Sequence, residues 1–285
     1  MRGMAFMMLA IGLLSAMDAI AKWLTTNGLT VIQILALRSL VIVPLMLIVF
    51  SSRGSRATLV PRSPILHLYR GVIGFISPLT FFLGIRHIPL TDAVVVFFAS
   101  TFIIALLSML FLGERVGIYR WASIISGFLG VLVVVGPKGT GDWHGYALVF
   151  VGSATYALLF ISGKYLSRTD SVASLVFSFN LCVGLISLIL LPFYWSPMNL
   201  THSMLLICLA LLAVSGHYLI TLAFSISEAS LLAPFEYTAV LWALTFDLLI
   251  WQTTPALSTG LGATIIIASG LFMVHRERIN LASRA

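Results

Sequence analysis

Two ionisable residues stand four positions apart near the end of the first apolar run of the chain, in the segment SAMDAIAKWL (15–24). Residues i and i+4 of a helix share one face, so Asp18 and Lys22 are expected side by side, with the acid on the favourable N-terminal side. Arg38 lies inside the next apolar run. At about 1.5 Å per helical residue, Asp18 lies ~9 Å and Arg38 ~13 Å from the same membrane surface, so their depths overlap.

Three roles for this charged group remain open. An ionisable side chain at the centre of a bilayer costs about 2.5–3.5 kcal/mol on insertion scales, so it needs a partner, a cavity or the interface. The first role is an internal ion pair of Asp18 with Lys22 that also joins two helices through Arg38. The second is a charged vestibule that contacts a zwitterionic substrate. The third is proton coupling through Asp18.

A second set of polar residues is predicted in the opposite half of the membrane. His217 and Glu236 each lie about seven residues from the end of an apolar segment, which places them at one depth. A histidine and a glutamate at one depth favour a functional role and a packing role about equally. Asp247, near the other end of the segment that holds Glu236, is interpreted as an interfacial residue.

Aromatic and hydroxyl side chains occur together in two distant apolar segments. One stretch holds Phe98, Ser100 and Thr101, and the other holds Glu236 and Tyr237. A pocket for an amphipathic metabolite needs this mixture of apolar and polar groups. The sequence therefore predicts a substrate-binding path, without metal or cofactor, and its members are Asp18, Lys22, Arg38, Phe81, Phe98, Ser100, Thr101, Tyr156, His217, Glu236, Tyr237 and Trp242.

The elements that must position these residues are membrane-spanning helices. Hydrophobic residues make up 60% of the 285 residues, and charged residues only 9%, whereas soluble domains carry about 25% charged residues. A spanning helix needs about 20 predominantly apolar residues. Ten segments meet this condition, near 4–24, 29–50, 65–86, 90–112, 119–136, 143–164, 172–193, 203–224, 229–250 and 256–274.

The distribution of basic residues predicts the orientation of these ten segments. Twelve Lys and Arg residues fall on one side of the membrane and three on the other, with Arg38 inside a segment. Cytoplasmic loops carry the excess of positive charge, so both termini are expected in the cytoplasm. The net charge of +7 is explained in this way, and no basic stripe with interleaved aromatic residues indicates nucleic-acid binding.

The chain resembles itself when it is shifted by about 140 residues. The stretch that begins at Gly3 then lies on the stretch that begins at Gly145, with Lys22 on Lys164. The counterpart of Asp18 is Phe160, so the acid is not a feature of both halves. Five segments per half is an odd number, so the second half enters the membrane from the opposite side. We therefore predict two inverted repeats, at residues 1–138 and 143–285.

The stretch FFLGIRHIPLTDAVVVFFASTFIIALLSMLFLGERVGIYRWASIISGFLGVLVVV (81–135) resembles the second part of an EamA domain of the drug/metabolite transporter superfamily. Gly113 and Glu114, Arg38, and the stretch APFEYTAVLWAL from Ala233 fit the same pattern. The resemblance implies an all-α fold of ten transmembrane helices around a central cavity. The fifth and tenth helices would be peripheral, and their glycines suit close helix packing: Gly127, Gly130, Gly262 and Gly270.

The resemblance implies a secondary transporter that moves small metabolites, with amino-acid export as the favoured activity. Uptake of a vitamin or nucleoside-type metabolite, such as riboflavin or S-adenosylmethionine, is the alternative. A rival from another class, an integral-membrane enzyme, would need a convergent catalytic cluster that the scattered histidines do not provide. The expected partners are a small-molecule substrate and the lipid bilayer of the inner membrane; proton coupling and the oligomeric state stay open.

Overall fold

The computed structural model describes residues 2–52, 59–112, 118–135, 142–167, 169–226 and 235–282. Within these ranges the regular structure is helical, without a β-strand, and a 3₁₀ turn covers Leu191–Phe193. The α-helices are α1 (Arg2–Thr26), α2 (Val31–Ser52), α3 (Pro64–Ile85), α4 (Leu90–Phe97), α5 (Ala99–Leu112), α6 (Ile118–Val135), α7 (Trp143–Leu166), α8 (Val172–Leu190), α9 (Leu200–Ile226), α10 (Thr238–Ile250) and α11 (Leu257–Ala282).

Within the described residues, seven helical segments are long and apolar enough to cross a membrane. They are α1, α2, α3, the consecutive α4 and α5, α7, α8 and α9. Three shorter apolar helices, Trp121–Val135, Thr238–Ile250 and Leu257–Phe272, coincide with the other three predicted segments. The chain is therefore a helical, multi-pass membrane protein.

The fourth predicted segment is not the continuous helix that the sequence suggested. The α-helix is interrupted by a turn at Phe98, between α4 and α5, where the N–H of Thr101 donates to the carbonyl of Phe98 at 3.0 Å. A turn at Tyr237 likewise separates helical residues 235–236 from α10. Both residues keep dihedral angles of the right-handed helical region, φ −62° and ψ −12° at Phe98 and φ −66° and ψ −14° at Tyr237. Apolar periodicity did not reveal either break, because so local a change leaves the hydrophobic pattern intact.

Parts of the predicted pattern fall outside the described residues. They include Gly113 and Glu114, the first two residues of the stretch from Ala233, and residues 229–234 of the ninth predicted segment. The rest of that segment, from Phe235 onward, is described. The conclusions below rest on the described ranges alone.

Helices from the two halves of the chain pack against each other in pairs. The most extensive contacts join α1 to α9, α3 to α7, and α6 to α11, followed by α2 to α8. The backbones of α6 and α11 approach closely at Gly130 and Gly262, where a Cβ on Gly262 would lie 2.6 Å from the carbonyl oxygen of Gly130. Close packing is thus confirmed for these two glycines, whereas Gly127 and Gly270 face the side chains of Phe102 and Tyr237.

Polar contacts outside the spanning helices hold two of the turns. Asp170, between α7 and α8, accepts the backbone N–H of Arg62 at 2.6 Å and the hydroxyl of Thr169 at 3.0 Å. The hydrogen bond from Arg62 is the main reason why the pKa of Asp170 lies below its usual value. His67 of α3 lies 3.7 Å from the same carboxylate. These contacts tie the start of α3 to the turn that follows α7.

Candidate functional site

Lys22 lies in a buried polar cluster near the end of α1. Its Nζ donates to Asp247 Oδ1 at 3.2 Å and to the carbonyl oxygen of Ile88 at 3.0 Å. The ammonium also lies 4.5 Å from the centre of the Trp251 ring, within the range of a cation–π interaction. The side chains of Lys22 and Asp247 are only 8% and 2% exposed. The charge of Lys22 is therefore compensated by groups from three parts of the chain.

Asp247 also holds the start of α4. Its carboxylate accepts the backbone N–H of Leu90 at 2.9 Å, the N–H of Thr91 at 2.7 Å and the hydroxyl of Thr91 at 2.8 Å. A carboxylate at a helix N-terminus satisfies free N–H groups and interacts favourably with the helix dipole. We refer to Lys22, Ile88, Leu90, Thr91 and Asp247 as the Lys22–Asp247 cluster.

This cluster corrects two expectations from the sequence. Lys22 forms its ion pair with Asp247 and not with Asp18, although Asp18 and Lys22 do stand on neighbouring turns of α1. Asp247 is 1% exposed, so its interpretation as an interfacial residue was wrong. The partners are 225 residues apart in the chain, and no local spacing rule connects them.

Arg38 of α2 and Asp18 of α1 form a second charged group with an incomplete set of contacts. Arg38 is 6% exposed, and its Nε is buried without a hydrogen-bond partner. Asp18 is half-buried, and the charge of Arg38 acts on it. Among the described residues no ion pair within 4.0 Å and no hydrogen bond closes Asp18 on Arg38. We refer to these two residues as the Asp18–Arg38 pair.

His217 of α9 lies beside this pair. The charge of Arg38 acts on His217 as well as on Asp18, so α1, α2 and α9 bring these three side chains together. The side chain of His217 is exposed. The sequence also predicted that His217 lies near Glu236, and this contact stays a prediction.

Aromatic rings line the region around the two helix breaks. The ring of Phe97 lies 5.0 Å from that of Phe81 and 5.3 Å from that of Tyr156. The ring of Phe98 lies 5.1 Å from that of Tyr237. Phe98 and Tyr237 are the two turn residues that interrupt the fourth and ninth predicted segments, so the breaks face each other. These distances suit offset or edge-to-face pairs.

Glu236 joins this aromatic region from the second break. It is half-buried, and its charge acts on the hydroxyl groups of both Tyr156 and Tyr237. Within the part of the chain that the structure describes, no hydrogen-bond donor or cation pairs with its carboxylate. Tyr156 is 39% exposed.

The remaining predicted site residues are Ser100, Thr101 and Trp242. Ser100 is 5% exposed and Thr101 is half-buried, both in the first turn of α5. Trp242 of α10 is 41% exposed, stacks on Phe246 and packs against Gly12 of α1. These contacts join Trp242 to Gly12 of α1 and to Phe246 of α10, and not to the rings around Phe97.

The sequence interpretation missed two residues with a clear structural position. The ring of Phe97 stands between those of Phe81 and Tyr156. Apolar patterning could not identify Phe97, because it does not show that this residue lies next to a helix break. Asp92 of α4 accepts hydrogen bonds from the hydroxyls of Tyr146 and Thr259, the latter at 2.6 Å. Asp92 thereby ties α4 to α7 and α11.

The arrangement is suited to holding and passing a small polar molecule. Within the described ranges, no group of three or more His, Cys, Asp or Glu residues has the geometry to hold a metal ion. Two helix breaks, a charged pair and accessible aromatic groups instead lie at membrane depth, where irregular backbone is tolerated when it lines a cavity.

A comparison with known families supports this interpretation. Residues 1–136 match the model of the EamA-like transporter family. The first half of the chain is therefore similar to an EamA-like transporter domain. The matched range ends at the close of α6, so it contains α1 to α6 together with Asp18, Lys22, Arg38 and both Phe97 and Phe98.

The curated proteins that this chain is similar to are described as transporters. The S-adenosylmethionine uptake transporter of Rickettsia conorii is 29% identical, over 97% of this chain and 93% of its own length. The pseudopaline exporter CntI of Pseudomonas aeruginosa is 28% identical over 74% of this chain and 75% of its own. The riboflavin transporter of Rhizobium johnstonii is 28% identical over 80% and 76%.

The fold is also found among solved structures. One crystal structure aligns with a TM-score of 0.68 over 97% of this chain and 97% of its own chain, at 16% sequence identity. At this identity the likeness concerns the fold alone. The chain therefore shares its helix arrangement with a protein of experimentally determined structure.

Proposed function

We propose that this protein carries small metabolites containing an amino-acid group across the cytoplasmic membrane by alternating access. The observation that carries this proposal is the Asp18–Arg38 pair, whose guanidinium Nε is buried without a hydrogen-bond partner. An unsatisfied charged donor at membrane depth is costly. A substrate carboxylate on Arg38 and a substrate ammonium on Asp18 would satisfy both side chains at once.

The proposed mechanism needs two halves that move against each other. We infer inverted repeats of five helices each, at residues 1–138 and 143–285, with both termini in the cytoplasm. The pairing of helices supports this inference. Under the repeat α1 corresponds to α7 and α3 corresponds to α9, so the contact of α1 with α9 has its counterpart in the contact of α7 with α3. The helix breaks at Phe98 and Tyr237 are counterparts too, and broken helices at the interface of repeats are typical of substrate sites in secondary transporters.

The relatives favour one substrate and one direction to test first. Those that span nearly the whole chain are S-adenosylmethionine uptake transporters, and S-adenosylmethionine contains the amino-acid group of methionine. We therefore propose uptake of an S-adenosylmethionine-like metabolite. Amino-acid export is the second candidate, favoured by the resemblance of the chain to a pseudopaline exporter and by the same carboxylate and ammonium site.

Purified protein in sealed liposomes tests the proposal. We expect uptake of radiolabelled S-adenosylmethionine or of an amino acid from a mixed panel, with the labelled compound recovered chemically unchanged. Replacement of Arg38 by Gln should reduce this flux by about 10- to 100-fold, because a charge-assisted hydrogen bond contributes about 1.5–3 kcal/mol. The matched control is Arg86→Gln, which removes an exposed arginine at the end of α3.

The same liposomes separate the alternatives. Equal flux in R38Q and R86Q would contradict the assignment of the site, and flux of riboflavin alone would contradict an amino-acid substrate. Proton coupling through Asp18 is tested by an imposed pH gradient. If Asp18 carries the proton, Asp18→Asn should lose the response to the gradient while substrate exchange without a gradient persists.

A further inference from the structure

The carboxylate of Glu236 has no partner that its surroundings provide. Glu236 stands next to the helix break at Tyr237, is half-buried, and forms no hydrogen bond or ion pair within the described ranges. A carboxylate at membrane depth is expensive unless a cation, a donor or water compensates it. Asp247, near the far end of α10, shows the contrast, because it accepts hydrogen bonds from Lys22, Leu90 and Thr91.

Four aromatic side chains belong to the region around Glu236 and the two helix breaks. The hydroxyls of Tyr156 and Tyr237 lie within its electrostatic range. Phe97 contacts Tyr156 at 5.3 Å and Phe98 contacts Tyr237 at 5.1 Å between ring centres. The rings come from α4, the first helix break, α7 and the second helix break, so both halves of the chain contribute to this aromatic region.

We propose that Glu236, Tyr156, Tyr237, Phe97 and Phe98 form a cation subsite that binds a positively charged group on the same metabolite whose amino-acid group binds the Asp18–Arg38 pair. This inference rests on the proposed function and specifies its substrate class. Aromatic faces attract organic cations, most strongly when water is excluded, and a nearby carboxylate adds a direct charge interaction. The rings also offer a surface on which a planar group can stack.

The balance of charge favours a cationic ligand over an anionic one. Among the predicted site residues, Asp18 and Glu236 carry negative charge when they are ionised and Arg38 carries positive charge, while Lys22 is neutralised by Asp247. An amino-acid group is zwitterionic and compensates Asp18 and Arg38 together. The negative charge of Glu236 is then left over, and a second cation on the ligand compensates it.

The spacing of the two subsites suits one small molecule. Phe235 and Ala239, on either side of Glu236 in the chain, pack against a cluster that contains Met7 and Ile11 of α1. Asp18 lies seven residues beyond Ile11, which corresponds to about 10 Å along the helix. An amino acid with a cation a few bonds from its α-carbon spans this separation when both ends contact carboxylates.

Two probes that differ by one charge test the inference. S-adenosylmethionine carries a sulfonium cation, and S-adenosylhomocysteine is the same molecule without the methyl group and without that charge. In liposomes that contain the wild-type protein, both probes are tested as inhibitors of the transport of a labelled metabolite. S-adenosylmethionine should inhibit this transport at a concentration about tenfold or more below that of S-adenosylhomocysteine, because the second probe lacks the cation–π and ion contact.

Substitution of Glu236 should remove this discrimination selectively. We expect Glu236→Gln to weaken competition by S-adenosylmethionine about tenfold or more and to change that by S-adenosylhomocysteine less than about threefold. The control is Asp142→Asn, which removes an acid outside the spanning helices and keeps a side chain that can cap α7. If E236Q does not fold, Phe97→Leu and Tyr156→Leu provide the same comparison through the rings.

Each outcome decides between the two proposals. Equal competition by both probes in the wild-type protein, or an equal loss for both in E236Q, would overturn the cation subsite and leave amino-acid transport standing. Competition by methionine alone would have the same meaning. Failure of every amino-acid metabolite to compete or to be transported would overturn the proposed function itself.

Discussion

Two charged groups on neighbouring turns of α1 have opposite surroundings. Lys22 is enclosed by the Lys22–Asp247 cluster, where the carboxylate of Asp247 accepts four hydrogen bonds from Lys22, Leu90 and Thr91. Asp18, four residues earlier, faces Arg38 across a gap with no direct hydrogen bond. The first group satisfies its own charges, and the second does not.

The difference separates a structural role from a binding role. Buried ion pairs are stable only when further hydrogen bonds satisfy their remaining atoms, and the Lys22–Asp247 cluster meets this condition. A buried cation with an unused donor has no structural justification of this kind, so a ligand is the simplest reason for its presence. Substitutions in the first group are therefore expected to affect stability, and substitutions in the second are expected to affect transport.

The largest expected effect is on stability, in the Lys22–Asp247 cluster. Asp247→Asn should lower the free energy of unfolding by about 3–5 kcal/mol, because it leaves the ammonium of Lys22 buried without a counter-charge. The measurement is the melting temperature of the purified protein in detergent, with D142N as the control. Adding Lys22→Met to D247N should recover part of the loss; a normal melting temperature for D247N would show that the cluster is not closed.

An effect of about 1.5–3 kcal/mol is expected on binding, in the Asp18–Arg38 pair. Arg38→Lys keeps the positive charge but removes the planar set of donors that grips a carboxylate in two places. We expect substrate affinity in R38K to fall while the melting temperature stays close to that of the wild type. A large drop in melting temperature with unchanged affinity would make Arg38 a structural residue like Lys22.

A smaller effect is expected in the aromatic region, where the ring of Tyr237 packs against α11. A Cβ on Gly270 of α11 would collide with the hydroxyl of Tyr237, whereas a Cβ on Gly260 of the same helix has free space around it. Gly270→Ala should therefore displace the Tyr237 ring and cost about 1–3 kcal/mol by overpacking. G260A is the matched control. Indistinguishable melting temperatures and transport rates for the two variants would mean that Tyr237 is not held by α11.

The smallest effect is expected from one hydroxyl group in the Lys22–Asp247 cluster. Thr91→Val removes the hydrogen bond from the Thr91 side chain to Asp247, at 2.8 Å, but leaves both backbone N–H donors in place. The expected loss is about 1 kcal/mol, visible as a small decrease in melting temperature with unchanged transport. A loss as large as that of D247N would show that the hydroxyl, not the ion pair, organises the cluster.

Much of the helical arrangement was predictable from the sequence, since a spanning segment is recognised as a long run of apolar residues. The small-residue contact at Gly130 and Gly262 was predictable for the same reason. The partner of Lys22 was not, because Asp247 comes from the other half of the chain and Asp18 is the nearer acid in sequence. Local spacing rules favour the near partner, and only the packing of α1 against α10 brings the distant one into contact.

The candidate site shows the same limit. The chemical types were predictable, because ionisable and hydroxyl groups stand out in apolar segments, and Phe98 and Tyr237 are indeed in contact. The helix breaks at these two residues and the position of Phe97 were not predictable, since a one-residue turn leaves no mark on hydrophobic periodicity. Whether the site residues act in transport remains a prediction.

The difference between the two charged groups is tested most directly by the change in melting temperature that a ligand produces. We expect saturating S-adenosylmethionine to raise the melting temperature of the wild-type protein, since a ligand that binds only the folded state stabilises it. D247N should melt lower without ligand and still show this increase. R38Q should melt close to the wild type without ligand and show no increase; an increase of wild-type size in R38Q would contradict the account.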